Sequence, residues 1–215
     1  MILDGRLGRI DWVFFDIGST LVDEGRAYRH RIEDAIAGTE IGYEEFYETM
    51  MGYYRKNRKG DLETIRRFGL AQTAWHSEDE VLYPEAKGCL ERLKGKYKLG
   101  IIANQPVGTA ERLRDFGILE DIDLVVSSAE EGVAKPDLRI FQLALERAGC
   151  EGRNAVMVGD RLDNDIAPAK RAEMKTVWVR QGFGRFSTPG NEMEKADFTV
   201  NDLDGVWRLF EGVFQ

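Results

Sequence analysis

The sequence predicts an α/β protein, a doubly wound parallel sheet with a small all-helical cap inserted after its first strand. Three observations lead there. Short β-branched or aromatic runs alternate with segments of helical periodicity, the pattern of βαβ units. The runs are continuously apolar rather than alternating, as when helices cover both faces of a sheet. Several of them stop at a polar residue, and ligands of an open parallel sheet bind beyond the carboxyl ends of its strands.

Taken in order, strands are predicted over 12–15, 99–103, 124–127, 155–158 and 176–179. A helix over 85–96 places Ala86, Leu90 and Leu93 on one face. A second, over 138–148, carries Ile140, Phe141, Ala144 and Leu145 and stops at Gly149, a residue that accepts the left-handed turn closing a helix. Helices over 165–174 and 203–210 follow. Residues 181–191, rich in Gly, Ser and Pro, read as a surface loop.

More than eighty residues separate the first two of these strands, too many for one crossover. Helical patterns fill the interval over 24–37, 43–59 and 61–68. The expected division is therefore a core of 1–22 and 84–215 with a cap of 23–83. Tyr28, Tyr43, Phe46, Tyr47, Tyr53 and Tyr54 recur at helical spacing and read as the cap's own small core.

A chain of 215 residues with 43% hydrophobic side chains can bury a substantial core. Its net charge of −8 argues against unaided nucleic-acid binding, which needs clustered cations. No stretch approaches the roughly 18–20 apolar residues that span a bilayer. Residues 1–11 lack an apolar leader core, with Asp4 and Asp11 interrupting, so the expected location is cytoplasmic. Cys89 and Cys150 are far apart with no histidine beside them, and read as unpaired thiols. His30 and His76 flank no candidate nucleophile, which argues against Ser-His or Cys-His chemistry. Nothing in the sequence reports an oligomeric state.

The chemistry lies at the strand ends. Asp16 follows the first strand and precedes Gly18, Ser19 and Thr20, a turn whose backbone N–H groups suit an anion. Asn104 follows the second strand. Lys135 sits in an Ala-Lys-Pro-Asp turn, and Asp160 and Asp165 follow the fourth strand. Converging carboxylates repel and raise one another's pKa. A magnesium ion relieves that, since it prefers one or two carboxylates, waters and phosphate oxygens. Lys135 adds a compact positive charge.

These four stretches resemble the motifs of the haloacid dehalogenase superfamily in order and spacing, and the insertion resembles that family's helical cap of the first type. The resemblance implies a hydrolase of small phosphorylated metabolites in which Asp16 attacks phosphorus and forms an aspartyl-phosphate. It implies Mg²⁺ held by Asp16, the main-chain carbonyl of Gly18 and Asp160, with Asp165 supporting through water. Lys135 would steady the nucleophile and the phosphoryl group, and Asn104, Ser19 and Thr20 would contact phosphate.

Two residues depart from that pattern. Phosphatases of the family carry a general acid/base aspartate where this chain has Gly18, and a phosphate-binding Ser or Thr where it has Ala103. General acid–base help is worth about 10²–10⁴ in rate, and a hydrogen bond to a charged group roughly 1.5–3 kcal/mol. The sequence therefore predicts weak turnover of activated phosphates and little activity on sugar phosphates. Asp23 and Glu24 are close enough to substitute through water, although residues so placed commonly begin the next helix as caps. Alternatives stay open: a catalytically impaired phosphometabolite-binding member, or a phosphonatase-like or dehalogenase-like C–X hydrolase. A phosphonatase would recruit Lys56 or Lys59 from a charge run that otherwise reads as a solvated helix end. Arg26 and Arg29 are candidates to reach an anionic substrate. A phospho-accepting receiver domain is set aside because it lacks so long an insertion.

Overall fold

The structure, a computed structural model, describes residues 8–212; most of the leader region read above, residues 1–7, lies outside them. Along the chain, β1 (Trp12–Phe15) leads into a two-residue strand β2 (Val22–Asp23) and three helices, α1 (Gly25–Ile36), α2 (Tyr43–Tyr54) and α3 (Gly60–Phe68). The insertion closes with β3 (Val81–Leu82), antiparallel to β2. There follow α4 (Ala86–Leu93), β4 (Lys98–Ala103), α5 (Thr109–Asp115), β5 (Leu124–Ser127), α6 (Ser128–Glu131) and α7 (Leu138–Ala148). The chain ends in β6 (Ala155–Gly159), α8 (Ala167–Arg171), β7 (Lys175–Val179), β8 (Phe198–Val200) and α9 (Leu203–Glu211). The main sheet has six strands in the order β5-β4-β1-β6-β7-β8, every neighbouring pair parallel.

Side-chain alternation in β1 feeds two cores. Val13 and Phe15 pack with α4 and α9 on one face, while Phe14 packs with Ile140, Phe141 and Ala144 of α7 on the other. Phe14, Phe15 and Phe141 are fully buried, each contributing about 1.5–3 kcal/mol relative to exposure. Gly100 of β4 is required by this packing, because a Cβ there would lie 2.5 Å from the Phe14 ring. Asp137 starts α7 by accepting the Arg139 N–H at 2.9 Å, and Gly149 ends it at φ +58°.

The helical insertion encloses a third core of Ile32, Ala35, Phe46, Met50, Tyr54 and Ile65, with Tyr28, Tyr43 and Tyr47 packed against it. Here α2 stops at Tyr54 rather than at 59, and Asn57 turns the chain at φ +55°. Three further differences from the sequence reading bear on the site. The helix expected over 165–174 begins instead as a wide π turn, Leu162–Ile166, that runs into α8. β8 and α5 were not anticipated: β8 is a three-residue edge strand, and α5 is mostly charged. Residues 181–191 are more than a surface loop, since Gln181 is buried and Phe183 packs into the insertion. Among the described residues no helix is long and apolar enough to cross a membrane.

Candidate active site

Three adjacent strands, β4, β1 and β6, deliver Asn104, Asp16 and Asp160 at their carboxyl ends. Each follows a strand packed tightly enough to fix its exit; the Asp16 N–H still bonds the Val158 carbonyl at 3.0 Å. Lys135 enters from the turn between α6 and α7, and Asp165 from the π turn. Its wide pitch bonds the amides of both Asp165 and Ile166 to the Arg161 carbonyl, at 2.9 and 3.2 Å. Such turns recur at functional sites. Asp16, Asn104, Lys135 and Asp160 line a cavity of about 120 Å³.

Lys135 Nζ donates to Asp16 Oδ1 at 2.7 Å and to Asp165 Oδ1 at 2.6 Å. Its side chain and that of Asp165 are almost wholly buried. Burial alone would lower the Lys135 ammonium, but the charges of Asp16 and Asp165 prevail and hold it above its ordinary value. The other Asp165 oxygen accepts the Arg161 N–H at 3.0 Å. The Asp160 carboxylate accepts no hydrogen bond from the described residues. Burial and then the neighbouring Asp165 and Asp16 push it well above the carboxylate range. Burial likewise raises Asp165 to about 6, with Lys135 opposing.

One oxygen from each of Asp16, Asp160 and Asp165 falls within 4.8 Å of the others. Of the cations there, only Lys135 bonds these three carboxylates, because Arg161 is taken up by Asp163 at 2.6 Å. That surplus of negative charge, with a free oxygen on Asp16 and an unbonded carboxylate on Asp160, fits a divalent hard cation. Asp165, both oxygens occupied, suits a supporting place behind such an ion. A second histidine–acid group, His30, His76 and Glu78, lies on the insertion. There the two imidazoles stack at 3.4 Å, and both His76 nitrogens already face carboxylates.

The expected residues are brought together with some changes of part. Asn104 lines the cavity, but its amide clamps the Lys135 main chain in both directions, at 2.8 Å each, and so positions the lysine. Ser19 lines the cavity; Thr20 does not, being fully buried with an unpartnered hydroxyl. Two of the anion-holding amides expected of this turn are spent internally, Ser19 N–H on Val22 and Thr20 N–H on Ile17. Arg26 pairs with Asp79, and Arg29 lies over Tyr43. Neither lines the cavity. Of the two cap lysines, Lys59 reaches its wall and Lys56 does not. Asp23 accepts the Gly25 N–H at 2.8 Å, the part of a helix start.

The rest of the site comes from Glu24, one of the two carboxylates the sequence offered in place of the missing acid, and from residues that went unread there. Glu24 turns away from α1 into the cavity, where it accepts the Ser19 hydroxyl at 2.9 Å. Burial raises its carboxyl to about 7. Phe183 meets Tyr28 and Tyr54 at ring separations of 4.8 and 5.0 Å and closes the cavity from the far side. Gly184 lets that loop pass against Asp160, since a Cβ there would lie 2.3 Å from the Asp160 carbonyl oxygen. Arg31, Arg112, Trp75 and Asp61 line an adjoining chamber of about 460 Å³ beneath the insertion. Only the Gly-Phe-Gly spelling of 182–184 hints at this close approach. Nothing local marks the two arginines.

The model of the haloacid dehalogenase-like hydrolases matches residues 10–173. A glyceraldehyde 3-phosphate phosphatase from Pyrococcus furiosus is 30% identical, over 94% of this chain and 94% of its own. Another, from Methanothermobacter thermautotrophicus, is 31% identical over 93% of this chain and 97% of its own. Among solved structures, a HAD phosphatase from Thermococcus onnurineus superposes with a TM-score of 0.65 at 27% identity, over 94% of this chain and 98% of that one.

Proposed function

The chain belongs to the haloacid dehalogenase-like hydrolases, and from that membership we propose that it is a magnesium-dependent phosphatase of small phosphorylated metabolites, working through an aspartyl-phosphate at Asp16. The observation that carries this is the juxtaposition of Asp16, Asp160 and Asp165 around one point, with Lys135 bridging two of them. The phosphatase names of its relatives support the same reaction class. The proposed boundaries are a core of 1–22 and 84–215 and a cap of 23–83.

Asp16 presents one oxygen to Lys135, which fixes the carboxylate for in-line attack on phosphorus. A positioned carboxylate nucleophile splits hydrolysis into two easier transfers. Lys135 then faces the equatorial oxygens where charge gathers, an electrostatic aid that is usually large in a dry site. Asp16, Asp160 and the Gly18 carbonyl would hold the metal ion, with Asp165 behind them. That ion would supply neutralisation of phosphate charge when bound. Phe183, Tyr28 and Tyr54 wall the cavity from the insertion side and limit water.

The proposal is tested by turnover of glyceraldehyde 3-phosphate and other small alkyl phosphates with and without Mg²⁺. Metal-dependent release of phosphate that Asp16→Asn abolishes is the expected result, and activity surviving that substitution would refute it. A binding member without turnover is favoured by one feature: Ala103 offers no hydroxyl and the Asn104 amide is already engaged. Calorimetric binding of the same phosphates with no release would select that reading.

A further inference from the structure

We infer that Glu24 is the proton donor and acceptor of this site, standing in the space left by Gly18. The inference rests on the phosphatase reading above and goes beyond it by naming the group that protonates the leaving alcohol. A Cβ built on Gly18 would lie 2.5 Å from Glu24 Oε1 and 3.0 Å from Oε2. A carboxylate from the insertion thus fills the volume that a side chain at position 18 would need.

Its setting is built for that place. Among the described residues the Ser19 hydroxyl is its one hydrogen-bond partner, donating to Oε2 and leaving Oε1 free. Ser19 sits at φ +55°, a left-handed conformation costly for a side chain with a Cβ, and that turn aims its hydroxyl at Glu24. Neighbouring Asp23 does the work of starting α1, so Glu24 is released from capping. Arg112, whose charge bears on Glu24, is taken by Glu80. Glu24 also lines both cavities, the one holding Asp16 and the chamber beneath the insertion. A phosphate seated against Asp16 with its organic part in that chamber passes its bridging oxygen beside Glu24.

The chemistry balances. As Asp16 bonds phosphorus, the bond from phosphorus to the bridging oxygen breaks. The Glu24 carboxyl gives its proton to that oxygen, releasing an alcohol. The Glu24 carboxylate then takes a proton from water as the water oxygen attacks phosphorus, and the Asp16–phosphorus bond breaks. Inorganic phosphate leaves with Asp16 ionised and Glu24 protonated as before. Alkyl phosphates, which need a protonated leaving group, are therefore within reach despite Gly18. On this assignment turnover is not confined to activated phosphates.

The test compares Glu24→Gln with wild type on glyceraldehyde 3-phosphate and on p-nitrophenyl phosphate, whose phenolate leaves without a proton. General acid catalysis predicts a fall of about 10²–10⁴ in kcat on the alkyl phosphate. The first-turnover burst with the aryl phosphate falls by less than about tenfold, because that step needs no acid. A purely structural part for Glu24 would lower both alike, and equal losses, or none, overturn the inference. Gly18→Asp/Glu24→Ala, which moves the carboxylate without crowding, should recover at least about tenfold over Glu24→Ala; no recovery also overturns it. Loss of all activity in Asp16→Asn with Glu24→Gln unaffected would refute only this assignment, whereas activity in Asp16→Asn refutes the underlying reading.

Discussion

Lys135→Met removes a charge and keeps most of its volume, so it isolates what the buried ammonium does. The lysine side chain is 2% exposed and holds Asp165, 1% exposed, and Asp16, 14% exposed. Breaking a buried ion pair by deleting one partner costs about 3–5 kcal/mol, because the surviving charge stays buried without compensation. Two carboxylates are stranded here, one of them with a route to water, which sets the expectation near the middle of that range. For a chain of this size each kcal/mol moves the melting temperature by about 2–4 °C, so a fall of about 8–16 °C follows. The assay is thermal and urea unfolding of chelator-treated protein, read together with phosphate release. A Lys135→Met protein within about 1 kcal/mol of wild type would show that the site does not depend on that bridge, and the charge reasoning would fail.

Other consequences follow from the same geometry. Magnesium at a hundredfold excess over its Kd should stabilise the wild type by about 2.7 kcal/mol, and Asp160→Asn should abolish most of that gain in a thermal shift assay. Gly184→Ala places a methyl 2.3 Å from the Asp160 carbonyl oxygen and 2.6 Å from Oδ2. It should weaken magnesium binding in calorimetry while leaving the far-UV spectrum of the fold intact. Phe183→Ala removes a half-buried ring packed against Tyr28 and Tyr54 and should cost about 1–3 kcal/mol. An unfolding midpoint unchanged by the substitution would show that the loop does not brace the insertion.

The parallel sheet was readable because its strands are buried on both faces and spell continuous apolar runs; 12–15 and 124–127 match β1 and β5 end for end. Strand ends then located Asp16, Asn104 and Asp160, since a polar residue after such a run has one place to go. Two kinds of feature were not readable. β8 and α5 are set by tertiary pairing rather than by pattern. The parts of Asn104, Thr20 and Glu24 depend on which way a side chain turns after the chain leaves the strand. Asp23 and Glu24 look alike as residues; only the fold commits one to the helix start and the other to the cavity. Phe183 became part of the wall because the loop after β7 folds back across the insertion, a contact more than 120 residues distant from Tyr54 in sequence.

Peptide-resolved mass spectrometry of protein quenched in acid during turnover of acetyl phosphate with Mg²⁺ examines the covalent step itself. The expected result is a single acid-stable, base-labile phosphoryl group on Asp16, absent from Asp16→Asn. Turnover without any adduct on Asp16, or an adduct carried by another residue, would contradict it.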